Sequence, residues 1–131
     1  MTNIKFDGKI LLVDDEAHVR TFLSLVLNQL GKPKLFEAGD GHDAIEIYRR
    51  VSPDLVLLDV NMPIKDGIET LRELMEINPN CRVIMLTSLV TRQTVEQALQ
   101  LGAVNYIRKD TPKEEILSTL QQTINECFTA D

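Results

Sequence analysis

Five short apolar runs, each followed by a segment of helical period, constrain this chain more than any other feature. The runs are Lys9–Asp14, Lys34–Ala38, Asp54–Asp59, Arg82–Thr87 and Val104–Lys109. Each has the length of a strand, and an unbroken apolar run implies burial on both faces. After the first run, Val19, Phe22, Leu23, Val26, Leu27 and Leu30 recur at three- and four-residue spacing, with Gly31 as a stop. Ala44, Ile45 and Tyr48 form a second, shorter stripe, and Ile68, Leu71, Leu74 and Met75 a third. The fourth is weaker, with Val95, Ala98 and Leu99, and ends at Gly102. The fifth is the clearest. Thr111 can cap it, Pro112 suits the first helical position and Glu114 completes a capping box, before Ile116, Leu117, Leu120, Ile124 and Phe128 line one face. Five βα units predict a parallel sheet covered by helices on both sides. They are too few for an eight-stranded barrel, which leaves an open, doubly wound three-layer sandwich. Such sheets bind their ligands at the carboxyl ends of the strands.

The length of 131 residues fits one domain, 1–131, with a core of ordinary size. The net charge of −6 argues against a nucleic-acid-binding surface, which would need clustered Lys and Arg. Two isolated cysteines, Cys81 and Cys127, make no disulfide framework, so a reduced, cytoplasmic setting is expected. The N-terminal apolar run is only Ile10–Val13 and leads into acids, which is neither a signal peptide nor a membrane span.

At the carboxyl ends of the runs stand Asp14-Asp15, then Ala38-Gly39, Asp59, Thr87-Ser88 and Lys109. Four of five strands therefore bring three carboxylates, a hydroxyl and an ammonium to one rim. Neighbouring carboxylates oppose one another's ionisation, and a hard cation such as Mg²⁺ relieves this with oxygen ligands and waters. Lys109 is a point charge suited to a phosphate oxygen, and Thr87 can donate a hydrogen bond to another. One carboxylate remains as a nucleophile able to form an aspartyl phosphate, and Asp59 fits by its place between the acid pair and the Thr and Lys strands. Taken singly, each residue has a plainer reading: a strand-end Asp is often a helix cap, and a Lys after a strand is usually solvated. The joint pattern carries the specificity.

The segments ILLVDDE (Ile10–Glu16), DLVLLDVNMPIKDG (Asp54–Gly67), VIMLTS (Val83–Ser88) and GAVNYIRKD (Gly102–Asp110) resemble the receiver domains of two-component response regulators over nearly the whole chain. The resemblance implies a flavodoxin-like fold with strand order 2-1-3-4-5. It implies Asp59 as acceptor of a phosphoryl group from a histidine kinase or histidine phosphotransfer protein. Asp15 would bind Mg²⁺ directly and Asp14 through water, with the backbone carbonyl of Asn61 as a further ligand. Thr87 and Lys109 would bind phosphoryl oxygens, and Tyr106 falls at the switch aromatic that turns inward as Thr87 moves. One departure stands out. Many receivers have proline directly after the site lysine, often with a cis bond; here Asp110 follows, and a cis bond before a non-proline residue costs about 3 kcal/mol.

Rival readings are a Mg²⁺-dependent phosphatase with an aspartyl nucleophile and an interaction module of the same fold that is not phosphorylated. The first usually wants an acid two residues after the nucleophile, where this chain has Asn61. His18 and His42 lack the partners of a nitrogen-ligand site. Glu16 reads as a first-turn acid or a water-mediated contact to the site, Tyr48 as core with its hydroxyl at the protein's edge, and Arg49-Arg50 as a solvated helix end. The weakly apolar fourth helical segment adjoins Thr87 and Tyr106, so Ser88–Leu101 is expected to shift on phosphorylation. Its outward residues Arg92, Gln93, Glu96, Gln97 and Gln100, with Asn105 and Arg108, predict a polar output surface without a clear apolar patch. That surface would serve an output protein, a fused output domain or a phosphorylation-dependent homodimer.

Overall fold

A computed structural model describes residues 5–88 and 91–128. The strands are β1 (Lys9–Val13), β2 (Lys34–Ala38), β3 (Leu55–Asp59), β4 (Val83–Thr87) and β5 (Asn105–Arg108). They alternate with α1 (Ala17–Leu27), α2 (Gly41–Val51), α3 (Gly67–Ile77), α4 (Arg92–Leu101) and α5 (Lys113–Phe128). All described strand pairs are parallel, in the order β2-β1-β3-β4-β5. This is the expected flavodoxin-like arrangement. The strand order reverses direction between β1 and β3, and that switch point is where an open sheet leaves a crevice.

The two sheet faces divide the apolar runs by their period of two. Leu11, Val13, Val56, Leu58, Val83 and Met85 pack with Ala44 and Tyr48 of α2, Leu71 and Leu74 of α3, and Ala98 of α4. Ile10, Leu12, Leu55, Leu57, Ile84 and Leu86 pack with Leu23, Val26 and Leu27 of α1 and Ile116, Leu120 and Ile124 of α5. Every residue of β3 and β4 is buried, so continuous apolar runs were the right signature for the central strands. No helix among the described residues is long and apolar enough to cross a membrane.

Several local expectations shift. α1 ends at Leu27, not at Gly31, and its exit tightens through a Leu30 N–H to Leu27 carbonyl bond of 3.0 Å. Phe22 is 39% exposed, because it lies about a quarter turn off the axis set by Leu23, Val26 and Leu27. α5 starts at Lys113, with the Pro112 carbonyl accepting from Glu115 and Ile116, so Pro112 precedes the first helical residue. Gly102 does stop α4, in a left-handed conformation (φ +114). Leu99, expected on the inner stripe of α4, is 46% exposed, and Ala98 is the only fully buried residue of that helix. The Tyr48 hydroxyl does not reach the edge. It accepts a 3.0 Å bond from Asn78 Nδ2, and burial, with the Cys81 thiol beside it, pushes its pKa up to about 12.

Candidate functional site

The carboxyl ends of β1, β3, β4 and β5 converge where the sheet reverses its winding. Asp14 follows β1 directly, and its backbone amide still bonds the Ala38 carbonyl of β2 at 3.1 Å. Asp59 is the last residue of β3 and pairs in register with Leu86, so Thr87 stands one residue further along the neighbouring strand. Lys109 follows β5, and its amide bonds the Thr87 carbonyl at 2.9 Å. Sheet register alone thus sets the four side chains at one level.

Their geometry is tight. Lys109 Nζ lies 2.7 Å from Asp14 Oδ2 and 3.1 Å from Asp59 Oδ2, with Glu16 Oε1 at 3.7 Å. Asp14 and Asp59 are fully buried, whereas Asp15 is exposed on the outer side of the same cluster. One carboxylate oxygen from each of Asp14, Asp15 and Asp59 lies within 4.8 Å of the others. The remaining oxygens of the buried pair are fixed by backbone amides. Asp14 Oδ1 accepts from Glu16 at 2.9 Å, and Asp59 Oδ1 accepts from Asn61 at 3.1 Å. The Lys109–Asp110 bond is trans, since no described peptide bond is cis, and Lys109 reaches both carboxylates without a following proline. Asp110 instead forms a two-point pair with Arg108 on the surface.

Charge balance at this rim is incomplete. Three carboxylates face one ammonium, before Glu16 is counted. Asp14 Oδ2 and Asp59 Oδ2 are sealed from solvent without an aligned hydrogen bond, although each is at ion-pair distance from Lys109. Burial raises the Asp59 pKa to about 7, and the Asp14 charge adds to the rise; Lys109 and the Asn61 amide oppose it. Burial alone would lower the Lys109 pKa, but the two carboxylates outweigh it and the net direction is upward. Two buried carboxylates and one exposed one, each offering an oxygen within 4.8 Å of the others, are the donor set that a hard divalent cation accepts.

A scan against family models matches residues 10–121 to the response regulator receiver domain. This chain belongs to that family. Receivers are signalling modules that bind Mg²⁺ at an acidic pocket, and Asp14, Asp15 and Asp59 form the acidic cluster of this one. It is 36% identical over 117 residues to the chemotaxis protein CheY of Bacillus subtilis (strain 168), covering 89% of this chain and 98% of CheY. It is 37% identical over 114 residues to the uncharacterized transcriptional regulatory protein YxjL of the same organism, covering 86% of this chain but only 52% of YxjL. The chain thus spans about half of one such relative and nearly all of another. Among solved structures, the CheX–CheY–BeF₃–Mg²⁺ complex of Borrelia burgdorferi superimposes with a TM-score of 0.83 at 31% identity, covering 93% of this chain and 90% of that one.

The residues singled out in the sequence mostly meet. Asp14, Asp15, Asp59 and Lys109 form one cluster. Thr87 is buried at the adjacent strand end, and the Asn61 amide touches Asp59. Tyr106 stands apart, 38% exposed, lining with Thr87, Thr94, Val95 and Ala98 a small apolar pocket under α4. Leu99, Val104 and Tyr106 are partly exposed on α4 and around β5, so this side is more apolar than its polar residues implied. The segment proposed to shift, Ser88–Leu101, includes residues 89 and 90, which lie outside the described residues. His18 is exposed and lies near Glu16 alone of the acids at this rim, 3.7 Å away, in keeping with a surface histidine. Glu16, read from the sequence as a first-turn acid or a water-mediated contact to the site, is the N-cap residue of α1; its amide donates to Asp14 Oδ1 and its carboxylate lies 3.7 Å from Lys109 Nζ.

The loop after Asp59 adds a strained turn. Lys65 N–H bonds the Pro63 carbonyl at 2.7 Å across Ile64, a three-residue turn in which Ile64 has φ +69. Such γ-turns are rare and strained, more so at a β-branched residue. Ile64 is 90% exposed, so packing offers its side chain no compensation. Replacing Ile64 with Gly is expected to stabilise the fold by about 1 kcal/mol, the relief of backbone strain less the extra freedom of glycine when unfolded. A higher urea midpoint at unchanged slope would show it, and a lower midpoint would refute the strain argument.

Proposed function

We propose that residues 1–131 form one receiver domain that takes a phosphoryl group on Asp59 from the phosphohistidine of a histidine kinase or histidine phosphotransfer protein. The observation that carries this reading is the buried, partly unbalanced Asp59 carboxylate, flanked by two more acids and by Lys109. Asp59 Oδ2 attacks phosphorus, the donor's P–N bond breaks as the P–O bond forms, and the imidazole leaves with its electron pair. Positioning and charge neutralisation provide most of the acceleration of such a step. Lys109 and the Thr87 hydroxyl hold phosphoryl oxygens, and Lys109 also helps keep Asp59 ionised before transfer. Asp15, Asp14 through water, Asp59 and the Asn61 backbone carbonyl would hold Mg²⁺, which supplies neutralising charge to the transferring phosphoryl oxygens. The BeF₃ and Mg²⁺ named with the Borrelia CheY support the same combination here. The domain assists only its own phosphorylation and dephosphorylation.

The output is a change of binding surface on α4, β5 and α5. Thr87 is drawn toward the phosphoryl group, Tyr106 turns into the pocket it already borders, and α4, attached through Ala98, shifts. The full-length match to CheY fits a separate output protein, the half-length match to YxjL fits a fused output domain, and a homodimer is the third form such an output takes. Hydrogen exchange with and without a phosphoryl mimic should change across α4 and β5; a change confined to α1 and α2 would place the output elsewhere.

The phosphoacceptor reading is tested directly by treatment with Mg²⁺ and acetyl phosphate. Intact-mass analysis should show about one added phosphoryl group on the wild type and none on Asp59→Asn. Full labelling of Asp59→Asn would refute the assignment. For the metal, binding to the native state alone should stabilise by about 2.7 kcal/mol at a hundredfold excess over the dissociation constant. Asp15→Asn should remove most of that effect, measured as the Mg²⁺-dependent rise in melting temperature. An unchanged rise would remove Asp15 from the ligand set.

A further inference from the structure

Arg20 lies in the second turn of α1, where a basic residue would ordinarily be solvated. Here it is largely covered and makes two directed bonds. Its Nη1 donates to the backbone carbonyl of Asp14 at 2.6 Å, and its Nε donates to Glu37 Oε1 on β2 at 3.0 Å. The Asp14 carbonyl belongs to the peptide unit that joins Asp14 to Asp15. Asp14 is otherwise held on three sides: by Ala38 at its amide, by Glu16 at Oδ1 and by Lys109 at Oδ2. The fourth contact, through Arg20, fixes the plane of the peptide from which the exposed Asp15 carboxylate projects.

We propose that Arg20, itself anchored by Glu37, is a positioning residue that presets the Asp14–Asp15 peptide for a divalent cation. Two physical points support it. First, this peptide lies beyond the end of β1, so the ladder no longer sets its orientation, and Asp15 would otherwise sample several directions before binding. Groups one layer removed from a metal commonly set its affinity by orienting the ligands. Second, a guanidinium beside a cation site would repel the cation, and Glu37 offsets that charge while holding the fork in place. β2, whose own end at Ala38-Gly39 carries no polar side chain, thereby contributes to the site through Glu37. The inference rests on the Mg²⁺ reading above.

The test is Mg²⁺ titration of the full chain by calorimetry, at low and moderate salt, alongside melting in EDTA. Arg20→Ala should weaken Mg²⁺ binding about tenfold, and Arg20→Lys should not restore it, because an ammonium cannot span both partners. Glu37→Gln should weaken binding more at low salt than at moderate salt, since it leaves the guanidinium charge unbalanced. In the Arg20→Ala background the same change should have little effect. A lower melting temperature in EDTA with Mg²⁺ affinity within twofold of wild type, for Arg20→Ala and Glu37→Gln alike, would overturn the inference and leave a structural role. If Arg20→Ala does not fold, Arg20→Lys and Glu37→Gln carry the test by the same criteria. Absence of saturable Mg²⁺ binding by the wild type would instead remove the metal reading, and this inference with it.

Discussion

Without divalent metal, the protein is expected to lose stability as the pH rises from about 4 to about 7, and Asp59→Asn should remove most of that loss. The cause is the burial of Asp59 beside Asp14, which raises its pKa from 3.8 to about 7 in the folded state. An acid with a raised folded pKa binds its proton more tightly when folded than when unfolded. Its effect on stability is therefore nil below the unfolded value, grows as the pH rises between the two values, and is constant above the folded one. The sign is destabilising, opposite to that of a carboxylate in a strong salt bridge. At about 1.4 kcal/mol per pK unit the full shift corresponds to about 4 kcal/mol. Counter-ions and solvent at the rim reduce this, and a fall of about 2 kcal/mol is expected. Lys109→Met should steepen the fall, because it removes the cation that both buried carboxylates share. Saturating Mg²⁺ should flatten the profile of the wild type near neutral pH and act far less on Asp59→Asn. Urea midpoints in EDTA across this range, compared between wild type and Asp59→Asn, isolate the Asp59 contribution from that of the other acids. Equal slopes in the two proteins would mean that Asp59 is ionised in the fold at no cost.

The same burial bears on the proposed phosphoryl transfer. In the proposed transfer, the same surroundings that make the Asp59 charge unfavourable keep its oxygen poorly solvated as a phosphodonor approaches. Stability is given up at Asp59, where the proposed function needs a buried carboxylate beside Asp14, and the uniformly apolar strands beneath it offset that cost.

The sheet was legible because its signals are local. Leu55–Leu58 and Val83–Leu86 are apolar at every position, so no period had to be chosen and no partner identified. The site followed from the sheet, since residues at the ends of adjacent parallel strands must meet whatever lies between them in sequence. What stayed hidden depends on contacts between distant segments. Arg20 and Glu37 lie 17 residues apart on different elements, and each alone reads as a surface charge. Tyr48 and Asn78 likewise meet only because α2 packs beside the end of α3. Phe22 and Leu99 depart from the sequence pattern for another reason. Both are apolar at helical spacing, but the sheet's width limits how much of a helix it can cover, and the residues on the flanks of the stripe stay partly in solvent.

Gly67→Ala should cost far more stability than Gly41→Ala, the other glycine that opens a described helix. Gly67 opens α3, and its amide bonds the Val60 carbonyl at 2.9 Å, which draws the helix start against the end of β3. A Cβ built there would lie 2.0 Å from the Asp59 carbonyl oxygen and 2.8 Å from both the Asp59 carbonyl carbon and Val60 Cα. All three are backbone atoms, so no side chain can turn aside, and either α3 or the end of β3 must move. Gly41 gives the contrast. Its Cβ would meet Thr70 Oγ1 at 2.3 Å and the Lys65 side chain at 2.9 Å, which are groups that rotate, and Ala gains helix propensity there. The expected cost is about 3 kcal/mol or more for Gly67→Ala and about 1 kcal/mol for Gly41→Ala. Where Gly67→Ala folds, its Mg²⁺ affinity and acetyl phosphate labelling should fall further than the loss of folded protein explains. A displacement of the Asp59 backbone by about an ångström would misplace the carboxylate proposed as both metal ligand and nucleophile. Equal melting temperatures for the two variants, with full labelling of each, would show that the helix start yields without disturbing Asp59.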